Sequence, residues 1–213
     1  MSLTSKSNPP KWTTSSNMIK IGITGSIGAG KSFIAQKIKQ WGIPIYDTDR
    51  EAKRLMMSSK EIRSRLIKLL GNEAYSSSGE LNKKLIASYL FASEDNARRI
   101  NAIVHPAVKT DFLRWTASQE SSTIGMECAI LFESGFDKLT NAVIVVSAPT
   151  VLCISRAMLR DGCSKEEVMR RMALQMPDNE RCAKTPYVIM NDGKTRIDEC
   201  ISEILARICH ASF

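Results

Sequence analysis

The chain has 213 residues, of which 43% are hydrophobic, 24% are charged and 6% are aromatic, and its formal net charge is +8. A chain of this length can bury one core with appended lobes, and no apolar run in it is long enough to span a membrane. Because aromatic residues are few, a surface that stacks nucleic-acid bases is not expected. The basic charge suits phosphate-rich small ligands at least as well as it suits nucleic acid.

Residues 1–17 are polar, contain Pro9-Pro10 and lack the apolar segment of a signal peptide, so we predict a flexible extension. None of the six cysteines forms a C-x-x-C pair, and the chain has only two histidines. A zinc site is therefore not expected, and the thiols are predicted to be reduced in a cytoplasmic protein.

A glycine-rich segment follows the first predicted strand, 18–24, and precedes a predicted helix, 33–41. Its sequence is Gly25-Ser26-Ile27-Gly28-Ala29-Gly30-Lys31-Ser32, which matches G-x-x-x-x-G-K-[ST] in the strand–loop–helix context that this motif requires. The glycines let backbone N–H groups converge on an anion, and the helix N-terminus adds donors. We expect Lys31 to reach the β- and γ-phosphates of a nucleoside triphosphate and Ser32 to bind Mg²⁺.

Two aspartates end the second predicted strand, 43–46, where the chain reads Asp47-Thr48-Asp49. In a parallel sheet this end lies on the same edge as the phosphate-binding loop, and period-two alternation would put both carboxylates on one face if the strand continues. A carboxylate there can take a proton from a substrate hydroxyl, and we favour Asp49 for that role. The alternative role for Asp49 is to cap the helical tract that follows.

Strands alternate with helices along the rest of the chain, which predicts an α/β fold of the P-loop NTPase type with a parallel five-stranded sheet flanked by helices. The helical stretch between the second and third strands is too long for a simple crossover, so it should form a lobe of its own. The remaining strands are predicted at 122–128, 142–146 and 187–190, and the remaining helices at 149–160, 164–175 and 194–209.

Arginines are frequent on the helices after the fourth strand. Arg156 and Arg160 are four residues apart and share a helix face, and guanidinium groups suit phosphate oxygens and the charge of phosphoryl transfer. A solvated basic face is the alternative interpretation. His105 precedes Pro106 inside a helical stretch, and the sequence identifies no partner for it, so it is a candidate substrate contact only.

The features that mark several other classes of P-loop protein are missing from the sequence. It has no N-K-x-D signature, and the third strand ends Met126-Glu127-Cys128 without an Asp-Glu pair, so a small-molecule kinase is favoured.

Three alternatives remain. A nucleoside or nucleotide kinase would use those acceptors, an ATP-dependent switch would bind ATP without acceptor-dependent ADP release, and an RNA-associated ATPase would need RNA-stimulated hydrolysis.

Six segments between Ile19 and Ile208 together resemble the dephospho-CoA kinase family. They are 22–32, 42–49, 101–106, 130–133, Arg160-Asp161 with Arg171 and Gln175-Met176, and 187–193. They are similar, in that order, to the family's G-L-T-G-G-I-G-S-G-K-S, G-x-x-V-x-D-A-D, L-N-x-I-x-H-P, P-L-L-F-E, R-D…R…Q-M and D-x-V-I-x-N-x-G. The loop alone occurs in many kinases, but the ordered set is highly specific.

The resemblance implies ATP- and Mg²⁺-dependent phosphorylation of the ribose 3′-hydroxyl of dephospho-CoA, the last step of coenzyme A biosynthesis. It implies that Asp49, the second aspartate of D-x-D, is the general base and that Arg160 is the lid arginine of the R-D motif. ATP would then be bound by the loop from Gly25 to Phe33, with Lys31 acting in catalysis, and by Arg156. Candidate substrate contacts are Asp47, Lys83, Lys84 and His105.

The family has three parts, which we assign by position. The nucleotide-binding core takes 18–48, 119–148 and 185–213, the helical substrate-binding lobe takes 49–118 and the lid takes 149–184. We expect a cytoplasmic monomer or weak homo-oligomer without nucleic-acid or membrane partners.

Four residues depart from the family pattern: Ser26 replaces a usual Gly, Phe33 a usual Thr, Ala129 a usual Pro and Pro186 a usual Asp. None of these replacements removes a group that the chemistry requires.

Overall fold

The computed structural model describes residues 18–211, so the predicted extension 1–17 lies outside the described residues. Five parallel strands form one sheet in the order β2-β3-β1-β4-β5, which confirms the predicted parallel sheet of a P-loop fold. The strands are β1 (Ile19–Gly25), β2 (Ile45–Asp47), β3 (Thr123–Glu127), β4 (Ala142–Ser147) and β5 (Tyr187–Met190).

Helices cover both faces of the sheet, as expected for parallel strands that are apolar along their length. On one face, Ile34 and Ile38 of α1 (Lys31–Gln40) pack with Leu205 of α9 (Ile197–Ala211). On the other face, the segment after β3 packs so closely that a Cβ on Gly22 would lie 2.6 Å from Leu131 Cδ2. The phosphate-binding loop thus leaves a central, buried strand.

Four α-helices lie between β2 and β3, in the segment predicted as a helical lobe, and their apolar sides share one buried cluster with residues of β2 and β3. They are α2 (Thr48–Ser58), α3 (Lys60–Leu70), α4 (Lys83–Leu90) and α5 (Glu94–Ala117). The helix α5 continues through Pro106, and Thr110 Oγ1 donates to the Pro106 carbonyl at 3.0 Å.

One boundary at the site differs from the prediction. The strand β2 stops at Asp47 and α2 starts at Thr48, so Asp49 lies in a helix. The prediction that Asp47 and Asp49 share one face of a continuing strand is therefore wrong. The physical reason is a helix cap: the Asp47 carboxylate accepts the Arg50 N–H at 3.0 Å. The cap is therefore Asp47 and not Asp49.

The segment predicted as a lid contains α6 (Thr150–Asp161) and α7 (Lys165–Ala173), followed by α8 (Asp178–Cys182), a short helix that the sequence pattern did not predict. The closing helix α9 starts three residues later than predicted, because the Asp192 carboxylate binds the N–H groups of Lys194 and Thr195 in a turn. No helix within residues 18–211 is both long enough and apolar enough to cross a bilayer.

Candidate active site

The phosphate-binding loop joins β1 to α1 and is closely packed against two neighbouring segments. Gly28 and Gly30 have φ angles of 76° and 98°, which side chains rarely adopt. A Cβ on Gly28 would lie 2.0 Å from the Cys153 carbonyl oxygen, and one on Gly30 would lie 2.1 Å from Asn191 Nδ2. Glycine is therefore required at both positions, because of the backbone conformation and because no space is left for a side chain. The neighbouring segments that pack against the phosphate-binding loop are α6 and the loop after β5.

Lys31 lies at the start of α1, and its ammonium group donates to the Ser26 carbonyl at 3.1 Å. Burial lowers the pKa of Lys31, while the negative charges of Asp49 and Glu127 act in the opposite direction. A cation that is short of water and donates to a neutral carbonyl gains strongly from an incoming phosphate. The lysine is thus suited to the role that the motif predicts.

Asp49 occupies the first turn of α2, and the residue is exposed to solvent, although neighbouring protein partly desolvates its carboxylate. Burial raises the pKa of Asp49, and the positive charge of Lys31 opposes that shift. Burial therefore makes Asp49 more basic than an aspartate in water, and its charge interacts with that of the phosphate-binding lysine.

Glu127 is a residue of this site that the sequence analysis did not select. It ends β3, and one of its carboxylate oxygens accepts a 2.6 Å hydrogen bond from Ser32 Oγ. Burial raises the pKa of Glu127, and the bond from Ser32 opposes the shift. Its position at the carboxyl end of a strand beside β1 is the signal that could have identified it.

Mg²⁺ fits this pair of residues. A hydroxyl and a carboxylate are hard oxygen ligands, which Mg²⁺ prefers. Residues 18–211 contain no group of three or more His, Cys, Asp or Glu side chains that could hold a metal. Mg²⁺ at nucleotide sites usually takes only one or two protein oxygens, together with phosphates and waters.

The two arginines predicted to bind phosphate have protein partners in this structure. Arg160 forms two hydrogen bonds to Asp161, at 2.7 and 3.0 Å, and its charge also acts on Asp49 and Lys31. Arg156 Nη1 donates to the Asn191 carbonyl at 3.0 Å. Arg160 is thus within electrostatic reach of the site, whereas Arg156 supports the loop after β5.

Residues at the end of the lid segment bind the phosphate-binding loop. Gln175 accepts the Ile27 N–H at 3.0 Å through its side-chain oxygen and donates to the Ala129 carbonyl at 3.1 Å. Arg181 is fully buried, and its Nη1 donates to Ser26 Oγ at 2.8 Å. The sequence analysis gave no role to Arg181, because its importance depends on the tertiary path of the chain.

The candidate substrate contacts are not all brought together. His105 lines a cleft of about 420 Å³ with Arg98, Asn101, Lys109 and Glu133, and burial lowers its pKa. Asp47 caps α2 beside Asp49. Lys83 and Lys84 are exposed at the start of α4, and within residues 18–211 their side chains form no hydrogen bond or ion pair with these groups.

Comparisons with known proteins agree with this geometry. The family model for dephospho-CoA kinase matches residues 19–196. Dephospho-CoA kinase of Bacteroides fragilis is 43% identical over 189 residues, covering 88% of this chain and 92% of that protein, and the enzyme of Porphyromonas gingivalis is 44% identical over 158 residues, covering 74% and 78%.

Solved structures share the fold of this chain. A crystal structure from Thermus thermophilus has a TM-score of 0.77 at 30% identity, with 90% of this chain and 98% of that chain covered. Dephospho-CoA kinase from Campylobacter jejuni shares the fold, with a TM-score of 0.63 at 21% identity and coverage of 91% and 98%. The phosphate-binding loop, the acidic groups beside it and these similarities agree, and the chain belongs to the dephospho-CoA kinase family of ATP-dependent enzymes that phosphorylate dephospho-CoA in coenzyme A biosynthesis.

Proposed function

We propose that this chain transfers the γ-phosphoryl group of ATP to the ribose 3′-hydroxyl of dephospho-CoA and that Asp49 is the general base. The observation that carries the proposal is the position of Asp49 in the first turn of α2, directly after β2, at the sheet edge where the phosphate-binding loop leaves β1. The charges of Asp49 and Lys31 also interact. A carboxylate whose pKa is raised is a stronger base, so its raised pKa supports this role.

The donor phosphates bind to backbone N–H groups of the loop from Gly25 to Phe33 and to the N-terminus of α1. Lys31 exchanges the Ser26 carbonyl for the β- and γ-phosphates. Ser32 and Glu127 hold Mg²⁺, which when bound neutralises charge on these phosphates. Gln175 and Arg181 keep the loop in place while the donor binds.

The acceptor hydroxyl binds beside Asp49, which orients it and takes its proton as the new P–O bond forms and the bond from the γ-phosphorus to the β–γ bridging oxygen breaks, so that ADP leaves. Lys31 and Arg160 stabilise the negative charge that the transferred group carries between the two oxygens. For this role Arg160 turns from Asp161 toward the phosphates as the lid closes over the cleft. Closure also excludes water and so limits hydrolysis of ATP.

The cleft that His105 lines is our candidate for the remainder of the acceptor. Arg98 and Lys109 supply positive charge for the diphosphate of dephospho-CoA, and the uncharged imidazole and the Asn101 amide supply neutral polar contacts. Asp47, Lys83 and Lys84 stay candidate contacts for parts of the substrate that extend over the lobe.

We further propose that the enzyme acts in the cytoplasm, as a monomer or weak homo-oligomer, without nucleic acid or membrane as a partner. All six cysteines are unpaired, which suits a reducing compartment.

The test is ADP release from ATP with Mg²⁺ and one acceptor at a time: dephospho-CoA, adenosine, AMP, pantothenate or none. We expect release with dephospho-CoA alone and coenzyme A as the product. Release with adenosine or AMP instead would replace the proposed substrate. Release that no acceptor stimulates, with ATP binding intact, would favour a nucleotide-dependent switch.

A further inference from the structure

Phe33 is a large apolar side chain in an unusual place. It is the third residue of α1, directly after the Lys31-Ser32 pair, and 50% of its surface is exposed. Its neighbour Ile34 is completely buried, so the exposed ring is not part of the core. An apolar ring that stays in water at the edge of a ligand site gains free energy when a ligand covers it.

The order of the strands indicates which part of the nucleotide lies near this ring. Asp49 follows β2 and Glu127 ends β3, so both lie on one side of the central strand β1. The opposite side belongs to β4 and β5. With the γ-phosphate directed toward Asp49, the nucleoside end of the donor must leave the loop on the β4–β5 side.

Contacts of α1 place Phe33 on that second side. Lys37 follows Phe33 by one helical turn, and its ammonium group lies 2.8 Å from Asp198 in the first turn of α9, the helix after β5. The loop between β5 and α9 contacts the phosphate-binding loop, because Asn191 Nδ2 donates to the Ala29 carbonyl at 2.8 Å. The exposed ring therefore lies on the β4–β5 side of the phosphate-binding loop.

The ring is also held in position. Lys37 Nζ lies over it, 5.3 Å from the centroid, and the ion pair with Asp198 anchors the lysine. A side chain that is already oriented loses less conformational entropy when a ligand binds. An oriented aromatic ring next to a nucleotide-binding loop can stack on the flat face of a base.

We propose that Phe33 stacks on the purine base of the donor nucleotide and is a specificity residue of this site. The inference rests on the proposed ATP site, to which it adds a contact with the base. The loop N–H groups and Lys31 bind phosphates of any nucleotide, whereas the ring adds affinity only where a base is present and more for a purine than for a pyrimidine, since a purine has the larger stacking surface.

The experiment compares the binding of ATP with that of tripolyphosphate, which has the phosphates and lacks the nucleoside, both with Mg²⁺. We expect Phe33→Ala to raise the Kd for ATP by roughly 5- to 100-fold, the range that the loss of one base–aromatic stack gives, and to leave the Kd for tripolyphosphate nearly unchanged. Phe33→Tyr should retain the affinity for ATP. Between ATP and CTP, Phe33→Ala should weaken ATP binding more.

Met57→Ala is the matched control, because Met57 is 52% exposed and lies at the other end of α2 from Asp49. It should change neither Kd. An unchanged Kd for ATP in Phe33→Ala would overturn the proposal, and so would equal losses for ATP and tripolyphosphate, because the ring would then act through the loop. These readouts are binding constants, so a failure of phosphoryl transfer to dephospho-CoA would leave them interpretable and would contradict only the proposed acceptor.

Discussion

Arg181 Nη1 donates a 2.8 Å hydrogen bond to Ser26 Oγ, which joins a fully buried guanidinium group near the end of the lid segment to a residue of the phosphate-binding loop. Lys31 donates to the carbonyl of the same serine. Arg181 also pairs with Asp178 at 3.3 Å and donates to the Met176 carbonyl at 2.7 Å. The position of Lys31 therefore depends, through Ser26, on Arg181, which lies about 150 positions later in the chain.

Arg181→Met should destabilise the protein strongly. The substitution removes the buried cation that donates to Ser26 Oγ and to the Met176 carbonyl and that pairs with Asp178, and leaving a buried acceptor without its donor costs about 1–3 kcal/mol in the free energy of unfolding. Urea unfolding measures the change. Arg196→Met is the control, since that arginine is 81% exposed and its pair with Glu199 should contribute less than about 1 kcal/mol. Equal losses in both variants would contradict the importance assigned to Arg181.

Asp49→Asn should reduce kcat by roughly 10²–10⁴-fold, because the amide cannot accept the proton of the substrate hydroxyl. The Kd for ATP should change little, since the phosphate-binding groups remain. Steady-state kinetics with dephospho-CoA and direct titration with ATP give the two quantities. Turnover close to that of the original enzyme would show that another group takes the proton.

Asp47 provides a control for Asp49 that is two residues away and has a different role. Asn is as good a helix cap as Asp, so Asp47→Asn should preserve the stability of the protein, whereas Asp47→Ala should lower the free energy of unfolding by about 1 kcal/mol. If Asp47→Asn lowered kcat as much as Asp49→Asn does, the assignment of the base to Asp49 would lose its support.

Glu127→Gln should raise the Mg²⁺ concentration that gives half-maximal activity by about 10- to 100-fold, the usual effect of losing a residue that supports a metal ligand. The amide keeps the shape of the side chain and loses its charge beside Ser32. Activity is measured against Mg²⁺ concentration at constant ATP. Glu61→Gln, at a carboxylate whose side chain is 81% exposed on α3, should leave the curve unchanged. An unchanged curve for Glu127→Gln would exclude Glu127 from the metal site.

Local sequence patterns predicted the phosphate-binding loop, the strand that precedes it and the position of Asp49 after β2, because each depends on residues a few positions apart. The contact between Ser32 and Glu127 spans 95 positions and depends on the strand order, which places β3 beside β1. No periodicity in a single sequence contains that order. A rule for the carboxyl ends of neighbouring strands could still have selected Glu127.

Two further residues show why the remainder could not be predicted. The partners of Arg181 come from the phosphate-binding loop and from α8, a helix of five residues that is too short to give a periodic signal. The role of Asp47 as a cap depended on the last residue of β2, and element boundaries are the least certain part of such a prediction. Both failures concern the tertiary path or a boundary, and neither concerns the type of element.

The acid limb of the pH profile of kcat/KM should report the protonation of Asp49. Burial raises the pKa of Asp49, whereas Lys31, Lys53 and Arg160 lower it and the charge of Asp47 raises it. The base must be ionised, so activity falls as the pH drops through this raised pKa, and it falls at a higher pH than for an aspartate in water. Arg160→Met removes one of the opposing cations, so it should move the acid limb further toward neutral pH in the activity that remains. Arg196→Met should leave it in place, and a limb that Arg160→Met shifts to lower pH would show that a group other than Asp49 titrates there.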